Sequence, residues 1–191
     1  MNDTIAARIR RIREDMDAAA RRSGRPAGAV RLMAVTKTVD DGRIREAIAA
    51  GIDILGENYV QEAKRKIEQM GKTVGWHFIG RLQTNKAKYA VKLFDLIHSV
   101  DRIELAEEID RRAAALDLVV PVLIEVNAAG EVSKSGVPLA EALPLVRAVA
   151  ALPHVSIRGL MTLPPWSDDQ KASRPHFAAL RRLRDRIRSE R

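Results

Sequence analysis

The sequence predicts an α/β protein of (β/α)8 TIM-barrel type, and three observations lead there. Short, apolar, β-rich runs alternate with amphipathic helical stretches through the chain. The runs are apolar on both faces, as are strands of a parallel sheet covered by helices, and parallel strands need right-handed crossovers. The polar residues that break the pattern fall where runs end: Lys37, Glu57 and Asn58, Gly80 and Arg81, His98 and Ser99, Asn127, and Met161 and Thr162. In a barrel those strand ends form the functional face. The rival architecture, a doubly wound open sheet, lacks support because no G-x-G-x-x-G or G-x-x-x-x-G-K-[ST] follows any predicted strand.

Taken in order, residues 5–22 form a leading helix with Arg on one face and aliphatic residues on the other. Residues 30–37 (VRLMAVTK) read as the first strand, and after the Asp40-Asp41-Gly42 turn RIREAIAAG forms a helix closed by Gly51. IDILGEN is the second strand, followed by the helix YVQEAKRKIEQM, which ends at Gly71. WHFIG is the third strand and LQTNKAKYAVKLF the third crossover helix. Residues 95–99 form the fourth strand, and Asp101 caps a helix over residues 102–116. A fifth strand at 119–127 leads through a glycine-bearing loop to a helix at 139–151. A sixth at 155–162 leads through a Pro-Pro-Trp loop to a final Arg-rich helix at 171–191.

That makes six β-α units in 191 residues. An eight-unit barrel takes about 250 residues, 200 at the low end. The expectation is therefore one domain over residues 1–191, a barrel lacking about its last two units, with open strand edges that the last helix covers.

Composition narrows the chemistry. With no cysteine, disulfides, thiolate metal sites and Cys nucleophiles are excluded, and the four histidines lack metal-ligand spacing. No run is of signal-peptide or membrane-spanning type, so a cytoplasmic protein without a membrane partner is expected. The net charge of +8 lies largely in the two Arg-rich ends. Their opposite faces are aliphatic and few aromatics interleave, so a solvated face is favoured over a nucleic-acid surface.

Lys37 is the candidate reactive group. It closes an apolar strand, where desolvation disfavours the ammonium form and readies the amine to attack an aldehyde. The alternative is a lysine snorkelling from a strand end to solvent.

Motifs along nearly the whole chain bear on that choice. AVTKTV (34–39), GENYVQEAKRK (56–66), WHFIGRLQTNKAK (76–88), HSVDR (98–102), EVNAAGEVSKSGV (125–137) and RGLMTLPP (158–165) resemble signatures of the pyridoxal phosphate homeostasis proteins. That family is similar to the barrel domain of alanine racemase, without the second domain that completes a racemase site. The resemblance implies that Lys37 holds pyridoxal 5′-phosphate (PLP) as a Schiff base and releases it by transimination. It places Asn58 beside the ring, with N-capping of the next helix as the other role for that residue.

It also singles out His77 as a cofactor contact or a core histidine, and Gly80 as a tight turn at the pocket. Ser99 is a partner for a cofactor oxygen or a helix cap. Asn127 precedes the Lys-Ser-Gly loop, in which Lys134 is a candidate second amine. Met161 packs on the ring or in the core. The implied function is a non-catalytic carrier, a monomer that sequesters PLP and delivers it to apo PLP-dependent enzymes. A racemase-like enzyme is disfavoured because the only tyrosines, Tyr59 and Tyr89, fall on predicted helices. A basic nucleic-acid-binding module is the other alternative. Family members continue into segments that build a phosphate cup on the last two units. Without them, weak PLP binding is expected of this chain.

Overall fold

The computed structural model describes residues 4–131, 134–169 and 171–190. Val132 and Ser133 of the glycine-bearing loop, and Arg191 of the last helix, lie outside the described residues. The chain forms two compact units, Met1–His77 and Phe78–Arg191.

In the first unit, helix α1 (Ile5–Arg22) starts at Thr4, whose hydroxyl accepts the Ala7 N–H at 3.2 Å. It turns Ile9 and Ala20 inward and leaves Arg8, Arg10, Arg11 and Arg13 exposed. The Arg-rich face of α1 is thus a surface face, and Arg13 ties it down by donating to the Gly51 carbonyl at 2.5 Å. Strand β1 (Ala34–Val35) pairs in parallel with β2 (Ile54–Glu57), Ala34 beside Leu55 and Val35 beside Gly56. Between them runs α2 (Asp41–Ala49), capped by the Asp40 carboxylate on Arg43 N–H. Helix α3 (Val60–Met70) follows β2 and buries Val60, Ala63 and Lys66. The chain then returns in β3 (Gly75–Phe78), where Trp76 is fully buried.

The first strand is shorter than the sequence suggests. Residues 30–33 are not in strand conformation, Val30 and Val35 are exposed, and the strand ends at Val35, with the Thr36 N–H making the last backbone bond to β2. An apolar run is a necessary condition for a buried strand, but it does not fix how many of its residues find a pairing partner.

In the second unit, a 3-10 turn at Thr84–Lys86 leads into α4 (Ala87–Leu93), then β4 (Leu96–Val100) and α5 (Ile103–Ala114). Strand β5 (Val120–Asn127) is central, parallel to β4 and to β7 (Val155–Met161), with the two-residue β6 (Val137–Pro138) at its C-terminal end. Helices α6 (Ala142–Ala150) and α7 (Arg174–Ser189) complete it. The core is aliphatic: Ile97, Val100, Leu105, Ile109, Val122, Ile124, Val126 and Val149 are buried, with Phe78 and Phe94 rings 5.1 Å apart. Helix α7 packs against β7 and begins at Arg174 rather than 171.

Two local expectations are corrected. Asp101 does not cap α5: Arg102 holds the N-cap position without a side-chain cap, and Asp101 instead accepts from the Arg102 guanidinium at 2.6 Å. The glycine-bearing loop, read as irregular, contains β6, whose Val137 and Pro138 pair with Val126 and Asn127. Parallel strands joined by helices in both units give the α/β architecture that the alternating pattern foretold.

Candidate functional site

The first unit presents Lys37 in a turn just past β1. Thr36 precedes it, buried, its N–H bonded to the Gly56 carbonyl at 3.0 Å. Thr38 follows it at φ 60, a left-handed conformation that a β-branched residue adopts at a cost of roughly 1–2 kcal/mol. The Lys37 side chain is exposed. The expected desolvation of this amine between hydrophobic walls is therefore not found: the strand stops two residues earlier, and the turn carries the side chain outward.

Beneath the turn lies a polar cluster that the motifs did not single out. Lys66, on α3, is 0% exposed, as is Glu57 at the end of β2. The Lys66 ammonium donates to the Thr36 carbonyl at 2.5 Å, Glu57 Oε1 at 2.8 Å and Glu62 Oε1 at 2.7 Å. The Thr36 hydroxyl donates to the same Glu57 oxygen at 2.6 Å, and the Thr38 N–H donates to Glu62 Oε1 at 2.8 Å. Burial pushes the Glu62 carboxyl up, but the Lys66 ammonium and the Thr38 N–H outweigh it and hold it below its ordinary value. Breaking a buried pair of this kind by removing one partner costs about 3–5 kcal/mol. A signal existed in the sequence: Lys66 stands on the apolar stripe of its helix, in line with Val60 and Ala63.

Asn58 directly follows β2 and is half-buried, and its Oδ1 is buried without a hydrogen-bond partner. The helix α3 takes Tyr59 as N-cap and receives no side-chain cap, so capping is not what Asn58 does. Glu57 Oε2 is likewise buried and unpartnered. His77 is half-buried within β3.

In the second unit, Gly80 is buried just beyond β3. Ser99 is 2% exposed near the end of β4, and its hydroxyl has no partner, so it caps no helix either. Glu125 and Met161 are register partners across β5 and β7. Glu125 is buried, and Ser135 Oγ donates to its Oε1 at 3.0 Å. Asn127 Nδ2 donates to the Glu131 carbonyl at 2.8 Å. Lys134 donates to the Pro164 carbonyl at 3.0 Å and pairs with Glu131 at 3.2 Å. Asn127 and Lys134 are thus engaged in shaping their own loop, whereas Ser99 carries an unused polar atom. Among the described residues no group of three or more His, Asp and Glu could hold a metal ion. No helix among them is long and apolar enough to cross a membrane.

For a pyridine aldehyde phosphate these side chains are of a fitting kind. In the first unit an exposed primary amine stands on a braced turn and Asn58 Oδ1 is a buried polar atom lacking a partner; in the second unit, taken by itself, Ser99 Oγ is another. Asn58 Oδ1 can only accept, which suits a hydroxyl or protonated nitrogen of a ligand, and Ser99 Oγ can donate to a ligand oxygen.

The family model described as alanine racemase, N-terminal domain, matches residues 7–191. A protein of Aquifex aeolicus named pyridoxal phosphate homeostasis protein is 43% identical over 184 residues, covering 96% of this chain and 81% of that one. Among solved structures, a protein of unknown function from Bifidobacterium adolescentis superposes with TM-score 0.91 at 38% identity, over 97% of this chain and 79% of that one. PipY of Synechococcus elongatus PCC7942, solved with PLP bound, matches with TM-score 0.78 at 35% identity, over 92% and 82% of the two chains. The chain belongs to the alanine racemase N-terminal domain family and, within it, to the pyridoxal phosphate homeostasis proteins.

Proposed function

We propose that this chain is a non-enzymatic carrier of pyridoxal 5′-phosphate that holds the cofactor covalently and reversibly on Lys37. The observation that carries the reading is the placement of Lys37: an exposed amine on a backbone braced from below, at a strand end, in a family whose member PipY has been solved with PLP bound. When bound, the cofactor supplies an aldehyde that condenses with a primary amine and releases water. Lys37 Nζ has to give up a proton to act as nucleophile, and its exposure lets solvent accept that proton. The same exposure leaves the lysine open to displacement by the amine of a recipient, which suits delivery rather than retention.

Asn58 and His77 in the first unit, and Gly80, Ser99, Asn127, Lys134 and Met161 in the second, are the further cofactor-binding residues of this reading. Asn58 Oδ1 and Ser99 Oγ have the open valences to orient the ring or its substituents. Lys134, pinned by Glu131 and Pro164, has to break two contacts before it can serve as a second amine. A carrier is favoured over a racemase because turnover needs a second acid/base opposite the ring. The two tyrosines are exposed, and the ammonium of Lys88 lies 4.9 Å from the ring centroid of Tyr89. We read the protein as a cytoplasmic monomer that hands PLP to apo-enzymes.

Borohydride reduction in the presence of PLP, followed by peptide mapping, tests the site. Wild type should carry the label on Lys37, and Lys37→Ala should lose at least nine-tenths of it. Equal labelling of the variant, or label spread over surface lysines, would overturn the assignment. Racemisation of alanine above background by the PLP-loaded protein would overturn the carrier reading.

A further inference from the structure

We infer that Lys66 is the positioning residue for Lys37: it fixes the backbone on both sides of the reactive lysine. The inference rests on the reading of Lys37 as the PLP-holding amine and adds to it the device that holds that amine in place. A lysine ammonium has three donors. All three of Lys66 are committed, to the Thr36 carbonyl, Glu57 and Glu62, and the side chain is wholly buried. Lys66 is therefore saturated and inaccessible, and is not itself an amine for the cofactor.

What its partners touch is the point. Thr36 O belongs to the peptide group immediately before Lys37, and Lys66 grips it directly. Thr38 N belongs to the peptide group immediately after Lys37 and is held by the same Glu62 oxygen that Lys66 orients. The Thr36 hydroxyl adds a third tie through Glu57. Both peptides flanking the Lys37 Cα are anchored to one buried cation, so the backbone of that residue is set and only its side-chain torsions stay free. The strained Thr38 conformation persists because of this bracing, as sparsely populated backbone conformations do at functional sites. Pre-organisation of this kind favours reaction by removing conformers that face the wrong way.

The experiment separates positioning of Lys37 from mere stabilisation of the unit by the ion cluster. Lys66→Met combined with Glu57→Gln removes both buried charges at nearly constant volume. Glu62→Ala, at a partly exposed residue, removes the Thr38 tie and one of the three Lys66 acceptors while leaving Thr36 O and Glu57 in place, and serves if the double variant does not fold. Ile44→Val, at a buried apolar site in the same unit, controls for general loss of stability.

In the cofactor-free protein, hydrogen exchange of the Thr38 amide should speed up at least tenfold in the Lys66/Glu57 variant and in Glu62→Ala, and stay as in wild type in Ile44→Val. At sub-saturating PLP, borohydride trapping on Lys37 should fall about tenfold in the same two variants and remain unchanged in the control. Unchanged Thr38 exchange or unchanged Lys37 trapping in variants that fold would overturn the inference. So would an equal loss of trapping in Ile44→Val. If Lys37→Ala still traps the cofactor as wild type does, the functional reading fails instead, and the Thr38 exchange still reports whether Lys66 braces the turn.

Discussion

Glu125 is buried at the C-terminal end of β5, and burial pushes its carboxyl above the ordinary range. The Ser135 hydroxyl pulls it down, Asp101 pushes it up again, and Arg81 opposes that. Because the folded-state value is the higher one, the native protein binds the extra proton, and stability falls as pH rises above the ordinary carboxylate value of 4.5. Glu125→Gln keeps the shape and an oxygen to accept from Ser135 while removing the charge. It should raise the thermal midpoint at about pH 7.5 and change it little at about pH 4; a midpoint lowered at neutral pH would show that the carboxylate is instead stabilising. Of the individual residues, Lys37 and Asn58 stand just past β1 and β2, near the strand ends where the sequence puts them, but the exposure of the Lys37 side chain was not legible, because it depends on where pairing of β1 stops. Lys66 was not singled out, because a lysine in a charged helix is ordinarily a surface residue; its place on the apolar stripe of α3 was the one hint, and its three acceptors explain why it is buried.

At the level of elements, helices are the more legible in the sequence because their 3.6-residue stripes are set locally. Helix α1 matches residues 5–22 in full, and α5 and α6 fall inside their expected ranges. Strand ends are less legible, since pairing is decided by partners far away in sequence: β1 keeps two of eight expected residues, and β6 has no signal in its own two residues. The short β6 exists because Gly136 lets the loop close onto β5. It has φ +109, and an added Cβ would stand 2.7 Å from Asn127 N and 2.9 Å from the Val126 carbonyl carbon, both backbone atoms that cannot yield. Gly136→Ala should therefore cost about 1–3 kcal/mol and free the Val137 amide for exchange, because Val137 pairs with Val126 at that contact. A variant as stable as wild type, with Val137 still protected, would mean the loop accommodates the methyl by moving as a body.

For the molecule as a whole, the two units differ in how their carboxylates are held. In Met1–His77 the shifted acids all lie below their ordinary values: Asp41 through its hydrogen bond to Arg65, Asp53 through Arg31, and Glu62 against the opposing effect of burial through Lys66 and Thr38. Phe78–Arg191 holds both kinds, with Glu108 and Glu190 lowered by arginines and Glu125 raised by burial. A lowered folded-state value contributes stability above the ordinary pKa that is lost as pH falls through the folded one. Exposed pairs such as Arg31 with Asp53 contribute little in water, so the acid sensitivity of the first unit concentrates on the partly buried Glu62, held by the buried Lys66 ammonium and the Thr38 N–H. Once Glu62 is protonated, one of the three acceptors of a buried ammonium loses its charge, and the tie to Thr38 weakens with it. In the second unit, protonation of Glu125 relieves a cost rather than imposing one. Hydrogen exchange followed on acidification below about pH 4, corrected for intrinsic rates, should show the amides of Thr38 and α3 losing protection before those of β5 and β7. Simultaneous opening, or earlier opening of β5, would place the acid-labile charge elsewhere than beneath Lys37.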